Sequence, residues 1–358
     1  LKKYLVIQQK MVGDVLLSSL LCEHLKSNIP NCQVHFLIHE HTAAVVQENP
    51  FIDELIKFKP IHRKNKIQFL KFIKELRKEN YEAIIDVYCK LESNIISLGL
   101  RAPLKISYNK WYSSFIYDKT FKRGKHPKTE MGDAIETRLV LLNPILEQLK
   151  NPKEIPKIHL SNEEISNAEQ FLKTNHVDLT KPFLIVGALG SSNLKTYPFR
   201  YLANLLDTII AHKEITIILN ALPSQKEELA TLIQACSEKT QKFIREDIYI
   251  ADLRSFLAVL SLAKGYFGNE GGAGNMARAL GIPNFSIFSP WISKDAWITD
   301  KSNKSNVGVH LADFEPDLLN ISKTDRKKSA PEYYNRLRPD LIRPKLEAFL
   351  IREIFSDQ

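Results

Sequence analysis

The stretch that most limits what this chain can become is Gly268-Asn-Glu-Gly-Gly-Ala-Gly-Asn-Met-Ala-Arg-Ala-Leu-Gly-Ile-Pro283. One apolar run (Gly265-Tyr-Phe) precedes it and another (Phe285 to Phe288) follows. That pattern predicts a strand, a glycine turn, a helix and a second strand. Gly271, Gly272 and Gly274 allow backbone angles and close approaches that a Cβ would block. The helix, with Ala277, Ala279 and Leu280 as its buryable face, opens with free N–H groups and the positive end of its dipole. Such a start is a seat for a phosphate or a carboxylate. A tight packing turn would use the same glycines, so the rest of the chain has to decide.

The first half repeats the same alternation. Tyr4-Leu-Val-Ile-Gln, Val34 to Ile38, Glu54 to Phe58 and Ala83 to Val87 read as strands, with helices predicted after Gly13, over Thr42 to Gln47 and over Ile67 to Lys78. Strands alternating with helices predict a parallel sheet covered on both faces. Gly13 breaks the first strand and Asp14 sits where a helix N-cap would. That places Asp14 at the carboxyl end of a strand, where ligands bind in open α/β sheets. The turn is not Gly-x-Gly-x-x-Gly, which counts against a dinucleotide site.

The second half begins after a proline-containing linker, Asn151 to His159, and a capping box at Ser161-Asn-Glu-Glu. Pro182-Phe-Leu-Ile-Val is a buried-strand run, followed by Gly187-Ala-Leu-Gly-Ser-Ser-Asn-Leu-Lys-Thr-Tyr-Pro198. Backbone N–H groups with the Ser191 or Ser192 hydroxyl suit phosphate oxygens there, and Lys195 supplies charge. The spacing is not that of a Walker A loop. After the strand Ile215 to Leu219, Glu227 and Glu228 fall in the first turns of a helix. The dipole alone would favour them, and a ribose diol also suits a carboxylate at such a place.

At 358 residues the chain suits two domains, and its formal net charge of +9 favours an anionic partner. Cys22, Cys32, Cys89 and Cys236 are widely spaced and read as reduced core thiols of a cytosolic protein. No apolar run reaches the roughly 18 residues that span a bilayer, and Leu1-Lys-Lys leads straight into a strand-like run with no signal-peptide pattern. Basic residues gather at His62-Arg63-Lys64-Asn65-Lys66 and again from Arg101 to Lys128, where Lys105, Lys110, Lys119, Lys122, Arg123, Lys125 and Lys128 interleave with Trp111, Tyr112, Phe115, Tyr117 and Phe121. A solvated surface explains such runs, and so does a face for an anionic, lipid-anchored acceptor. No nucleic-acid-binding signature accompanies them. Lys323 to Lys328 reads as a basic loop without an assignment.

Gly13-Asp14 after the first strand, Gly187 to Pro198 with Lys195, and Gly268 to Pro283 followed by Phe288-Ser-Pro290, in that order, resemble glycosyltransferase family 9, the lipopolysaccharide heptosyltransferases. The resemblance covers nearly the whole chain. It implies an α/β GT-B fold: two Rossmann-like domains facing across a cleft, with a C-terminal helix packing back on the N-terminal domain. In that division, 1–155 binds the acceptor, 156–330 binds the nucleotide sugar and 331–358 crosses back. The implied activity is an inverting, metal-independent transfer of a sugar, heptose by default, from a nucleotide-diphospho-sugar such as ADP-heptose. The implied acceptor is an anionic lipid-linked glycan of the lipopolysaccharide core. The implied location is the cytoplasmic face of the inner membrane, peripherally bound, with no nucleic-acid partner and no cofactor.

By resemblance, Asp14 is the general base, with Gly13 beside it. Lys195, Ser191 and Ser192 hold the diphosphate, and Glu227 holds the ribose. Glu270, Gly271, Gly272 and Asn275 complete the donor side, and Arg63, Lys64 and Lys66 are the acceptor-side cations. The chemistry agrees: transfer needs a carboxylate to take the acceptor hydroxyl's proton and positive charge on the departing diphosphate. The chain contains no Asp-X-Asp to bridge a metal to a diphosphate. It departs from the family in carrying Glu270-Gly271-Gly272 for Asp-Ser/Thr-Gly and Asn275 for a His. Asp133 stands near the place of another family His, which precedes an Arg-bearing helix. Two alternatives keep the fold: a nucleotide-sugar epimerase or hydrolase, and a non-catalytic nucleotide- or glycan-binding protein.

Overall fold

The computed structural model describes residues 1–124, 132–146, 155–220, 223–298 and 304–356. Lys125, Lys128 and the opening of the linker at 151–154 lie outside the described residues. The chain divides into two units, Leu1–His159 and Leu160–Gln358. The boundary falls at the end of the predicted linker.

The first unit is a six-stranded sheet: β1 (Lys3–Ile7), β2 (Gln33–His39), β3 (Glu54–Phe58), β4 (Ala83–Asp86), β5 (Leu104–Tyr108) and β6 (Lys119–Phe121). All its pairings are parallel, in the order β3-β2-β1-β4-β5-β6. β1 and β4 are central and buried, as their unbroken apolar runs require. Its helices are α1 (Val12–Asn28), α2 (Pro60–Lys64), α3 (Lys66–Leu76), α4 (Leu91–Gly99) and α5 (Asp133–Leu139). The structure corrects the expectation for Asp14. Helix α1 begins at Val12 with Met11 as N-cap, so Asp14 is the third helical residue rather than the cap. The basic stretch from Arg101, read as surface, also contains β5 and β6, with Ile106 and Tyr108 buried.

The second unit is built the same way. Its strands are β7 (Phe183–Gly187), β8 (Thr216–Leu219), β9 (Ile244–Arg245), β10 (Gly265–Asn269), β11 (Asn284–Ile287) and β12 (Asn306–Val309), ordered β12-β11-β10-β7-β8-β9 and all parallel. Read from the other edge, this is the order of the first sheet. Its helices are α6 (Asn162–Thr174), α7 (Phe199–His212), α8 (Lys226–Ala235), α9 (Glu238–Gln241), α10 (Leu253–Leu262), α11 (Gly272–Ala279), α12 (Lys323–Lys328), α13 (Ala330–Arg336) and α14 (Pro339–Phe349).

The terminal segment clusters with the second unit. Ile342, Leu346, Phe349, Leu350 and Ile354 join the core that β7, β10 and α7 build, and the Phe349 ring lies 5.6 Å from that of Phe285. An amphipathic helix packs where its apolar stripe finds apolar surface, and here α7 and the sheet supply it. The four cysteines are free and buried, as expected. Among the described residues no helix is long and apolar enough to cross a membrane.

In each sheet the strand order reverses direction at one point, between β1 and β4 in the first and between β7 and β10 in the second. At such a point the loops leaving neighbouring strands part and open a crevice for ligands. Asp14 follows β1, Lys195 follows β7, and Glu270 follows β10, so the sequence motifs fall on both switch points.

Candidate functional site

The second unit's switch point is drawn together by one buried amide. Asn269, at the end of β10, accepts from the Tyr197 N–H at 2.7 Å and donates to the carbonyls of Gly187 and Ala188 at 3.1 and 2.7 Å. It ties the loop after β7 to the turn after β10. Gly268 has φ +141°, and a Cβ there would collide with the Gly187 backbone. Glycine is therefore required where the two strand ends touch. Gly190 is required too, because a Cβ would run into the backbone of Lys195 as the loop doubles back. The Thr196 hydroxyl closes that loop by accepting from the Gly190 N–H at 3.1 Å.

This folding brings Lys195 to Glu270. Lys195 Nζ lies 3.0 Å from Glu270 Oε1, and the carboxyl group is buried. That oxygen makes no well-directed hydrogen bond, so the pair is held by charge rather than by bond geometry. Glu270 thus holds the ammonium beside the turn. Gly271 is the N-cap of α11, Gly272 its first residue, and Asn275 lies one turn in, its N–H bonded to the Gly271 carbonyl at 3.2 Å. Ser191 and Ser192 are exposed on the loop that leads to Lys195. Lys195, the serine hydroxyls and the start of α11 therefore occupy one switch point, an arrangement suited to phosphate oxygens. Glu227 is exposed in the first turn of α8 after β8.

The first unit's switch point carries side-chain charge instead. Asp14 Oδ1 lies 2.5 Å from Nη2 of Arg138, a largely buried residue of α5 whose Nε also donates to the Ser18 hydroxyl at 3.1 Å. Two helices thus fix the Asp14 carboxylate. Asp14 and Arg138 line a cleft of about 280 Å³ together with Asp133, Lys10, Lys90 and Arg123. Gly13 is the residue before Asp14 on α1. Asp86, at the end of β4, is wholly buried, and burial raises its pKa. It accepts from the Tyr117 hydroxyl at 2.6 Å and the Cys89 N–H at 2.8 Å, fixing the loop that leads to Lys90.

Sequence reasoning missed Arg138. It is 124 residues from Asp14, and no local spacing points from one to the other. The one available signal was the arginine of the helix opened by Asp133. Arg63, Lys64 and Lys66 are exposed on α2 and at the start of α3, and none of them lines the Asp14 cleft. Arg63 pairs with Glu92 of α4 at 2.8 Å. A second cleft, about 270 Å³ between α6 and α10, is lined by none of the site residues expected from the sequence.

Among the described residues, His35, Glu54 and Glu79 bring possible metal-ligating atoms within 4.8 Å of one another. Protein groups already serve them. Lys3 Nζ is 2.7 Å from Glu79, and the Tyr81 hydroxyl is 3.0 Å from His35 Nδ1.

Residues 69–313 match the model of a family described as glycosyltransferase family 9 (heptosyltransferase). Lipopolysaccharide heptosyltransferase 1 of Campylobacter coli is 24% identical over 371 aligned residues, which cover 99% of this chain and 100% of that protein. A family 9 glycosyl transferase from Veillonella parvula has a solved structure that superimposes with a TM-score of 0.73 at 16% identity, covering 94% of this chain and 97% of that one. The structure of Escherichia coli ADP-heptose LPS heptosyltransferase II gives a TM-score of 0.67 at 15% identity, covering 94% and 99%. Both solved structures share the fold described above.

Proposed function

From the premise that this chain belongs to glycosyltransferase family 9 and has the GT-B fold, we propose that it transfers a heptose from an ADP-linked donor to an anionic glycan of the lipopolysaccharide core. The observation that carries this reading is the second switch point, where Asn269 locks two glycine-dependent turns together and sets Lys195 beside α11. A diphosphate bound there meets an ammonium and unpaired backbone N–H groups, which stabilise it as it leaves. Glu227 is the ribose-binding carboxylate in this reading. Glu270, Gly271, Gly272 and Asn275 frame the sugar-diphosphate, and Ser191 and Ser192 bond its oxygens.

Asp14 acts on the acceptor. The acceptor hydroxyl oxygen attacks the anomeric carbon, the bond from that carbon to the diphosphate oxygen breaks, and the hydroxyl proton passes to the Asp14 carboxylate. Attack opposite the leaving group inverts the anomeric centre. Arg138 holds the carboxylate in place for that step. Lys10, Lys90 and Arg123 in the same cleft suit an acceptor bearing acid groups. Leaving-group charge is met by Lys195 and helix termini, so the reaction needs no metal bridge.

The deciding experiment is calorimetric titration of the protein with ADP, UDP, GDP and CMP in the presence of EDTA. Selective binding of ADP supports the reading. Selective binding of UDP or GDP discards the ADP donor and with it heptose, and transfer that is lost in EDTA and restored by Mg²⁺ removes the metal-independent mechanism.

The protein acts peripherally at the cytoplasmic face of the inner membrane in this proposal. The support is surface chemistry on the first unit, where Trp111 is 90% and Phe115 80% exposed beside Lys110, with Arg63, Lys64 and Lys66 on exposed α2 and α3. Exposed aromatics near cations suit an anionic interface. Association with anionic liposomes is expected and should weaken as salt rises; absence of any preference for anionic over neutral liposomes would remove this part of the proposal.

A further inference from the structure

The basic run Lys323 to Lys328 was left without a role by the sequence, and the structure gives it a location. It forms the helix α12 rather than the expected loop, and Lys323 and Lys327, one helical turn apart, share a face of that helix. Both ammonium groups point to one indole. Lys327 Nζ is 5.1 Å and Lys323 Nζ 5.6 Å from the Trp291 ring centroid. Lys195 Nζ approaches the same ring at 5.3 Å.

Three segments are stitched together to make this possible. The Ser289 hydroxyl and Trp291 Nε1 both donate to the Leu194 carbonyl, at 2.8 and 3.3 Å, which fixes the loop after β11 to the residue before Lys195. Arg326 Nη1 donates to the Pro290 carbonyl at 3.0 Å, which fixes α12 to that same loop. The acidic residue of α12, Asp325, is engaged by its own helix cap, accepting from the Ser322 hydroxyl at 2.7 Å. Among the described residues, neither Lys323 nor Lys327 has a carboxylate within ion-pair distance. An aromatic face attracts a cation, but three cations gathered at one ring also repel one another. Glu270 offsets only the charge of Lys195.

We propose that Lys323 and Lys327 form, with Lys195 and around Trp291, a binding site for a diphosphate group. In the reading above this is the diphosphate of the nucleotide donor, and to that extent the inference rests on that reading. The lysines of α12 are exposed, so they can close on an anion held at the switch point. Trp291 spaces the three ammonium groups around its ring. Charge-assisted contacts from flexible lysines suit the oxygens of a phosphate.

The test uses the full chain, two probes and two double variants. Inorganic pyrophosphate and ADP are titrated calorimetrically into the wild type, into Lys323→Ala/Lys327→Ala and into Lys323→Arg/Lys327→Arg, with thermal melting as a check on folding. The expected result is pyrophosphate and ADP affinity lowered about tenfold in the alanine variant and largely retained in the arginine variant, at unchanged melting temperature. The salt dependence of binding should also become shallower in the alanine variant. Pyrophosphate affinity equal in the wild type and the alanine variant, or no pyrophosphate binding by the wild type, overturns the site. Lysine-dependent binding of pyrophosphate without any binding of ADP keeps the anion site and overturns the ADP reading instead.

Discussion

The two units share one strand order and equip it differently. At the second unit's switch point the glycines Gly190 and Gly268 bring backbone close together, and Lys195 supplies charge. At the first unit's switch point the turn after β1 carries a carboxylate, and an arginine from another helix holds it. Backbone N–H groups at a helix start suit a phosphate, which asks for many donors and tolerates few side chains. A fixed carboxylate suits a hydroxyl whose proton has to be removed. In the proposed reaction the same sheet thus serves as a binding frame in one unit and a reaction frame in the other.

Removing the reaction frame should have the largest effect. Asp14→Ala is expected to slow transfer by roughly 10²- to 10⁴-fold, the usual range for a general base, measured as ADP release in the presence of acceptor. Near-normal turnover in that variant would take the base role away from Asp14. A smaller loss is expected for Arg138→Ala. Arg138 is a positioning residue that acts through Asp14, so the variant should lose about ten- to a hundredfold in kcat while KM for the donor stays near that of the wild type. A rise in donor KM with unchanged kcat would mean that Arg138 serves binding, and the contrast between the units would blur.

The smallest effect concerns stability in the second unit alone. Arg254 bonds the Glu164 carboxylate at 2.5 and 2.8 Å, and this charge-assisted contact, aided by the Ser161 N–H, holds the Glu164 pKa below the usual range. A lowered folded-state pKa stabilises the fold above the unfolded-state pKa, and that stabilisation is lost as pH falls through the folded value. Glu164→Gln should therefore cost about 1 kcal/mol at neutral pH. The gap between variant and wild type should close below about pH 4, as read by denaturant unfolding. A gap that stays constant down to pH 3 would mean that the Arg254 contact is not its source.

Much of this was legible in the sequence because buried parallel strands announce themselves. Tyr4 to Gln8, Val34 to Ile38, Pro182 to Val186 and Ile215 to Leu219 are short, mostly apolar runs, and each lies on a strand or overlaps one. β5 and β6 were harder to see. Lys105 interrupts the first, and the second is only three residues long, so charge masked the buried Ile106 and Tyr108. Amphipathic patterning identified the terminal helix but not its partner, since an apolar stripe does not state which surface it covers. The glycine turns were readable because glycine is chemically restrictive there, and Gly190 and Gly268 sit where a Cβ would meet backbone. Arg138 and the lysines of α12 were not, because their roles come from contacts with Asp14 and Trp291 across long sequence separations.

The division of labour between the two units is tested most directly by measuring the ADP dissociation constant of Asp14→Ala and Lys195→Ala side by side with the wild type. A loss of one charge-assisted contact predicts roughly ten- to a hundredfold weaker binding for Lys195→Ala and an unchanged constant for Asp14→Ala. Equal weakening in both, or wild-type affinity in Lys195→Ala, would contradict it.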